Sequence, residues 1–422
     1  MISKIISWSL KNRYIVLVLA AGLFAWGLFA VRKNPVDAIP DLSENEVIVF
    51  TEWQGQSPQI MEDQVTYPLV SNLQGVPKVK DIRATSMFGM SFVYVIFDND
   101  VDIYWARTRV LEKLNYAQRL LPQGVTPTLG PDGTGVGQIF WYHLDAPKMD
   151  LGEQRALQDW YIKFALQTVP GVAEVGSFGG FEKQYQVVVD PLKLQFYNIS
   201  MMDVIKKVHS NNNDVGGRKL DMSGMGYIIR GLGYIKNIND IENIALSNNN
   251  GIPVRVKDIG TVQMGGNLRL GIVDADGEGE VVGGVVIMRY GENADKVIKL
   301  LKNKMVDVQK GLPEGVSFKI DYDRSNLIEA AINNIKDKLI EEISIVCIIV
   351  IIFLFHWRSA LSIIIQIPIS IAISFILLNA FGFSSNIMSL TGVALVIGVI
   401  VDNGIIMSEN AYRSLSEWQN SE

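Results

Sequence analysis

Between Met388 and Met407 the chain reads MSLTGVALVIGVIVDNGIIM, and Asp402 is the only charge in that run. Lipid offers no water to a free backbone, so a segment this apolar is confined to a helix. Its length fits the roughly 17–25 residues that cross a bilayer. A carboxylate inside such a helix costs about 2.5–3.5 kcal/mol on insertion scales, which points to a role rather than an accident. Acids at this depth usually face a bundle interior or a wet cavity and handle protons or ions. The bland alternative is a polar residue tolerated near a helix end.

Three more segments have the same character: Tyr14–Val31, Leu339–Phe355 and Leu361–Leu378. The first has the basic flank of a signal peptide (Lys4, Lys11, Arg13) but ends in Arg32-Lys33-Asn34-Pro35, without a small-residue cleavage site. It therefore reads as a retained helix. Basic residues in short connections set orientation. Lys4, Lys11 and Arg13, a tight turn at His356-Trp357-Arg358-Ser359, and Arg413 place both ends of the chain and that turn in the cytoplasm. The connection Asn379–Ile387 has no Lys or Arg. The polar stretch from about Arg32 to Lys338 then lies outside. The formal net charge is −6 and no basic stripe is present, so no nucleic acid partner is expected. The single cysteine, Cys347, falls in a predicted span, so the outer region must be held by its own core.

That outer region repeats itself. Leu73-Gln74-Gly75-Val76-Pro77-Lys78-Val79 matches Leu166-Gln167-Thr168-Val169-Pro170-Gly171-Val172. Leu121-Pro122-Gln123-Gly124-Val125 matches Leu312-Pro313-Glu314-Gly315-Val316. Each signature follows a helical pattern: Pro58–Leu73, Leu151–Leu166, Tyr104–Leu120 and Ala294–Lys310. In the first copy, strands are expected at Val47–Trp53, Val79–Met87, Ser91–Phe97 and near Thr126. The order strand, helix, strand, strand, helix, strand is that of the split βαβ, or ferredoxin-like, arrangement. The signatures lie much farther apart in the second copy, which implies an insertion of about one small domain near Phe181–Leu268. An amphipathic helix (Leu327, Ile328, Ala331, Ile332, Ile335, Leu339) then leads straight into the second span.

On the fourth span, Asp402 and Glu409 are seven apart and nearly coincide on one helix face. Met388 lies about 40° off that line and ~21 Å along the axis, with Thr391 nearby. Asp402 is expected to take up and release a proton, since a poorly solvated carboxyl is switchable near neutrality. Glu409 is a candidate for proton entry, or simply an interfacial acid. Met388 and Met407 are soft thioethers of the kind that suit Cu(I) and Ag(I), although methionines in an apolar helix are more often packing. Gly392, Gly398 and Gly404 suggest close helix approach. His143, His209 and His356 are scattered, so no zinc-type site is evident. No nucleophile–base arrangement or nucleotide loop stands out, so neither an enzyme nor a cofactor is expected.

Several strings carry a resemblance: Asn34-Pro35 with Ala38-Ile39-Pro40-Asp41-Leu42, Tyr104-Trp105-Ala106-Arg107, Leu129-Gly130-Pro131-Asp132 with Gly135-Val136-Gly137, Leu157-Gln158-Asp159-Trp160, Tyr322-Asp323-Arg324-Ser325, and Val401-Asp402 with Glu409-Asn410-Ala411. With these, the whole chain resembles the N-terminal half of a resistance-nodulation-division transporter of the heavy-metal efflux branch. The resemblance implies an α+β membrane protein with two ferredoxin-like porter subdomains, the second interrupted by a docking subdomain. The expected layout is a first span in 1–33, a first porter subdomain in 34–132, and a second in 133–180 and 269–325. The docking insertion is 181–268. A connecting helix and second span occupy 326–358, the third span 359–380, and the fourth span with its tail 381–422.

The resemblance further implies a homotrimeric proton antiporter of the inner membrane, with a periplasmic adaptor and an outer-membrane channel as partners. Multidrug relatives carry two adjacent acids where this chain has Asp402-Asn403, and divalent-metal relatives carry an acid where it has Val396. What remains resembles the copper/silver exporters, in which Met388 and Met407 fall at relay positions. Leu268 and Ile400 stand where that group has further methionines, so the relay is incomplete. Such transporters repeat this whole plan, and the remaining half would supply the main metal site. The competing expectations are a multidrug pump of the same fold and a non-transporting half that scaffolds an envelope assembly.

Overall fold

Turn chemistry explains the internal repeat. Gly124 and Gly315, at matching places in the two Leu-Pro-x-Gly-Val strings, both have φ 87°. Lys78 (φ 62°) and Gly171 (φ 91°) likewise match after the two Val-Pro pairs. Left-handed backbone favours glycine, and Lys78 holds that conformation without the freedom that glycine has. The computed structural model describes residues 2–249, 251–269, 271–354 and 357–419.

The first unit has strands Glu46–Glu52, Val79–Met87, Met90–Phe97 and Pro127–Leu129, with helical runs Pro58–Leu73 and Ile103–Ala117. Its antiparallel sheet has the order second, third, first, fourth. The second unit has strands Gln138–Asp145, Val172–Phe178, Gly283–Met288 and Ser317–Asp323, with helical runs Leu151–Gln167 and Ala294–Gln309. Its order is fourth, first, third, second, the same arrangement in reverse listing. Both are the split βαβ order. Ser57, Asp102, Asp150 and Asn293 cap the four helical runs by accepting backbone N–H groups.

Strand alternation decides the core. Val47, Val49, Val93 and Val95 face inward with no exposure and meet Met61, Leu69, Val110 and Leu114. In the second unit Ile139, Val175 and Val286 meet Ile162, Leu166, Ile298 and Leu301. Each such side chain contributes about 1.5–3 kcal/mol. Both helices also contain a wider π turn, at Glu62–Thr66 and at Gln158–Ile162, the second lying three residues later in its helix. In the second unit this turn buries Gln158, which accepts from the Tyr142 hydroxyl at 3.1 Å.

The insertion is bracketed by strands Lys183–Val189 and Gly260–Gly266, which pair antiparallel. It has its own core around Ile199, Val204, Ile241, Val256 and Ile259. From it projects a hairpin, Val215–Met222 with Met225–Gly231, exposed along both strands.

Four long helices complete the chain: Arg13–Lys33, Arg324–Leu354, Trp357–Ala380 and Ile387–Gln419. By length and composition, Arg13–Lys33 and Ile387–Ala411 suffice to cross a membrane, and Ile364–Ala380 is a shorter apolar stretch. Helix Arg324–Leu354 runs unbroken from the end of the outer unit into the second predicted span. The tight turn expected at His356–Ser359 needs correction. Trp357, Arg358 and Ser359 are already helical, and none of them is a helix breaker; Phe355 and His356 lie outside the described residues.

Close helix approach is not found at Gly392, the first of the three glycines for which it was expected. A Cβ on Gly392 would meet nothing within 4 Å. One on Gly27 would run into the Ala372 side chain and lie 2.7 Å from its Cα. Gly392 fails because glycines six apart do not share a helix face, whereas Gly27, Ala30 and Ala372 are buried where the first and third long helices cross.

Candidate functional site

The fourth long helix starts with a built cap. Asn386 accepts the Ser389 N–H at 3.0 Å, and its own N–H donates to the Ser389 hydroxyl at 2.9 Å. From that fixed start the positions of the candidate residues follow by rotation. Asp402 and Glu409 share a face, and Met407 is turned about 140° from Asp402. Met388 and Met407 are about 28 Å apart along the axis, so they cannot bind one ion together.

Asp402, Glu409, Met388 and Met407 are all exposed on this helix. Gly404 is buried, and the helix packs against the second and third long helices. The bundle interior expected around Asp402 is thus not closed by the described residues, and the carboxyl stands on the open side. Among the described residues no three His, Cys, Asp or Glu side chains gather as a metal site.

A cavity of about 840 Å³ opens between the two outer units. Its wall is part aromatic (Phe88, Phe178, Phe181), with Met90 and Leu268, and part charged, with Glu52, Glu182, Arg155 and Arg269. Arg155 is fixed by Asp159 at 2.7 Å and by the Gly179 carbonyl at 2.8 Å. Sequence reading missed this cavity because its walls come from strand ends far apart in the chain. Only Leu268 drew notice.

The scattered strings of the sequence converge at the base of the outer units. Arg324 is 2 % exposed; its guanidinium donates to the Val136 carbonyl, and its Nε lies 3.0 Å from Asp37 Oδ1. That Nε makes no directed hydrogen bond, so the Asp37 contact acts as an ion pair. Burial pushes the Asp37 carboxyl above its ordinary value, and Arg324 only partly opposes this. Next to it, Lys302 lies 2.5 Å from Asp323. Burial raises the Asp323 carboxyl, but Lys302 and the Ser325 hydroxyl and amide outweigh it, and the net shift is downward. Thr134 donates to Asp41 at 2.8 Å. Tyr104 donates to Asp132 at 3.1 Å, and Arg107 to the Pro131 carbonyl at 3.2 Å. These strings pin the entry, the inter-unit link and the exit of the outer region together.

A family model described as the AcrB/AcrD/AcrF family matches residues 5–422. The cation efflux system protein CusA of Escherichia coli is 47% identical over 422 residues, covering 99% of this chain and 40% of that protein. The cobalt-zinc-cadmium resistance protein CzcA of Cupriavidus metallidurans is 35% identical over 428 residues, with the same coverage of 99% and 40%. A crystal structure of a heavy metal efflux pump superposes with a TM-score of 0.86 at 32% identity, covering 97% of this chain and 41% of that one. The chain spans about two-fifths of the length of these relatives.

Proposed function

Since the chain belongs to the AcrB/AcrD/AcrF family, the resistance-nodulation-division transporters, we propose that it forms the N-terminal part of a proton-driven heavy-metal exporter whose substrate is Cu(I) or Ag(I). The observation that carries this reading is the chain-long likeness to a heavy metal efflux pump, on a frame whose fourth long helix bears the lone acid Asp402. Asp402 takes up a proton from one side and releases it to the other, and Glu409 feeds it from the cytoplasmic end. The open side of that helix is covered by helices of the remaining part of the transporter. Met388 and Met407 pass the ion along the helix as separate stations, because one ion cannot span their separation. The residue pattern supports a monovalent soft ion: Asp402-Asn403 and Val396 lack the extra acids of the multidrug and divalent-metal groups.

In this reading the two α/β units are porter subdomains in the periplasm, and the insertion docks against an outer-membrane channel. A periplasmic adaptor completes the assembly, and the four long helices sit in the inner membrane. A two-stranded ribbon is marginal alone, yet the hairpin at Val215–Gly231 exposes Leu220, Tyr227 and Ile228. A second copy of the chain in a homotrimer supplies the surface that it lacks. The aromatic wall of the cavity favours a second reading, export of organic cations by the same fold. Growth of a pump-deficient strain carrying the full-length gene separates the two. Tolerance of copper and silver but not of dyes is the expected result; tolerance of dyes alone overturns the metal reading.

A further inference from the structure

The helix that carries Asp402 does not begin in free loop. Its first residue, Ile387, donates its N–H to the Ala38 carbonyl at 3.2 Å. Ser385 donates to the Pro35 carbonyl at 2.8 Å and accepts from the Asp37 N–H at 3.2 Å. The Ser385 hydroxyl accepts from the buried Asn34 amide at 2.8 Å. Val36 and Ser385 thereby form a short parallel bridge. Ala38 has no exposure and belongs to the core of the second outer unit, together with Ile328 of the second long helix. Asp37 is held by Arg324, at the start of that same helix.

We infer that residues 34–38 are a strut through which the helix bearing Asp402 moves the second outer unit, with Asn34, Ala38, Ser385 and Ile387 as positioning residues for coupling. This rests on the proton role given to Asp402 above. The geometry favours transmission over mere anchoring for two reasons. Every link is short and directional, so a tilt of the helix start displaces the segment 34–38 with it. Ala38 lies in the core of the second unit and Val36 packs against it, and that interior is too dense to absorb the movement locally. The same unit supplies Phe178, on the cavity wall, in the strand that pairs beside Gly283–Met288.

Two of the four links can be cut without cutting the helix. Proline is tolerated at the first helical position, where the N–H has no partner in its own helix. Ile387→Pro therefore removes the bond to Ala38 alone, and Ser385→Ala removes the bond from Asn34. The test uses the full-length protein with Cys347 and every further cysteine replaced by serine, and a reporter, Leu268→Cys, on the cavity wall, where Leu268 is exposed. Thiol labelling rates are compared between Asp402 and Asp402→Asn, with and without Ile387→Pro/Ser385→Ala. The expected result is a change of about fivefold or more on Asp402→Asn when the strut is intact, the scale of a modest coupling free energy, and a clearly smaller change when these two of its four links are removed. No response with the strut intact, or an equal response after cutting it, overturns the inference. The readout needs no metal, so a pump of different substrate would leave it standing, and metal tolerance is scored separately.

Discussion

Arg324 and Asp37 form a buried ion pair, Nε to Oδ1 at 3.0 Å, across most of the length of the outer region. The guanidinium is 3 % and the carboxylate 16 % exposed. Removing one partner of such a pair leaves an uncompensated buried charge and costs about 3–5 kcal/mol. Asp37→Ala should destabilise the outer units by that order in thermal unfolding. The double change Asp37→Leu/Arg324→Met should cost clearly less, since apolar replacement of both partners is often neutral.

Asp323 gives a pH prediction of definite sign. Its carboxyl is held below the ordinary value of 3.8 in the folded protein. A depressed carboxyl stabilises the fold above its unfolded value, and that contribution is lost as pH falls through the folded value. The outer units should therefore lose stability on acidification below about 3.8, and Asp323→Asn should lack this part of the loss. Asp37 is shifted the other way, so its contribution is full below the unfolded value and fades as pH rises past it. Thermal unfolding of Asp323→Asn and Asp37→Asn across the acid range checks both signs.

Gly27 and Gly392 should respond oppositely to a side chain. A Cβ at Gly27 meets Ala372, while one at Gly392 meets open space. Gly27→Val should cost about 1–3 kcal/mol through overpacking. Gly392→Ala should not destabilise this chain's own packing. Stability in detergent, followed by loss of helical signal, distinguishes the two.

How much was legible beforehand varies by range of interaction. The strand at Val79–Met87 coincides with the reading from its alternation, and the helical run Pro58–Leu73 has the bounds that its periodicity gave. Those are local signals. The Gly124 and Gly315 turns were legible because left-handed backbone favours glycine and the same string carries it at the same place twice. The union of Asn34 with Ser385 was not, since neither residue is unusual in its own window and nothing in one sequence links distant positions. The Gly27–Ala372 crossing was hidden for the same reason. On the fourth helix, sequence placed Asp402 within a long apolar helical run but could not give its surroundings. The residue is exposed here, and periodicity alone does not say which face a neighbour covers.

The methionine stations are testable by loss and by gain. Met388→Leu or Met407→Leu keeps volume and removes a soft ligand. Each should lower copper and silver tolerance by about tenfold or more, the scale at which even orienting groups matter for metal affinity. Leu268→Met and Ile400→Met should raise it. Unchanged tolerance in both leucine variants would reduce these methionines to packing.

In the proposed mechanism the Asp402 carboxyl changes its protonation state during transport. Infrared difference spectroscopy of the assembled transporter in lipid, cycled across roughly pH 5–8, tests it directly. A protonated-carboxyl band is expected that comes and goes with pH, shifts when Ag(I) is added, and is missing from Asp402→Asn. A spectrum with no carboxyl band attributable to Asp402 anywhere in that range would contradict it.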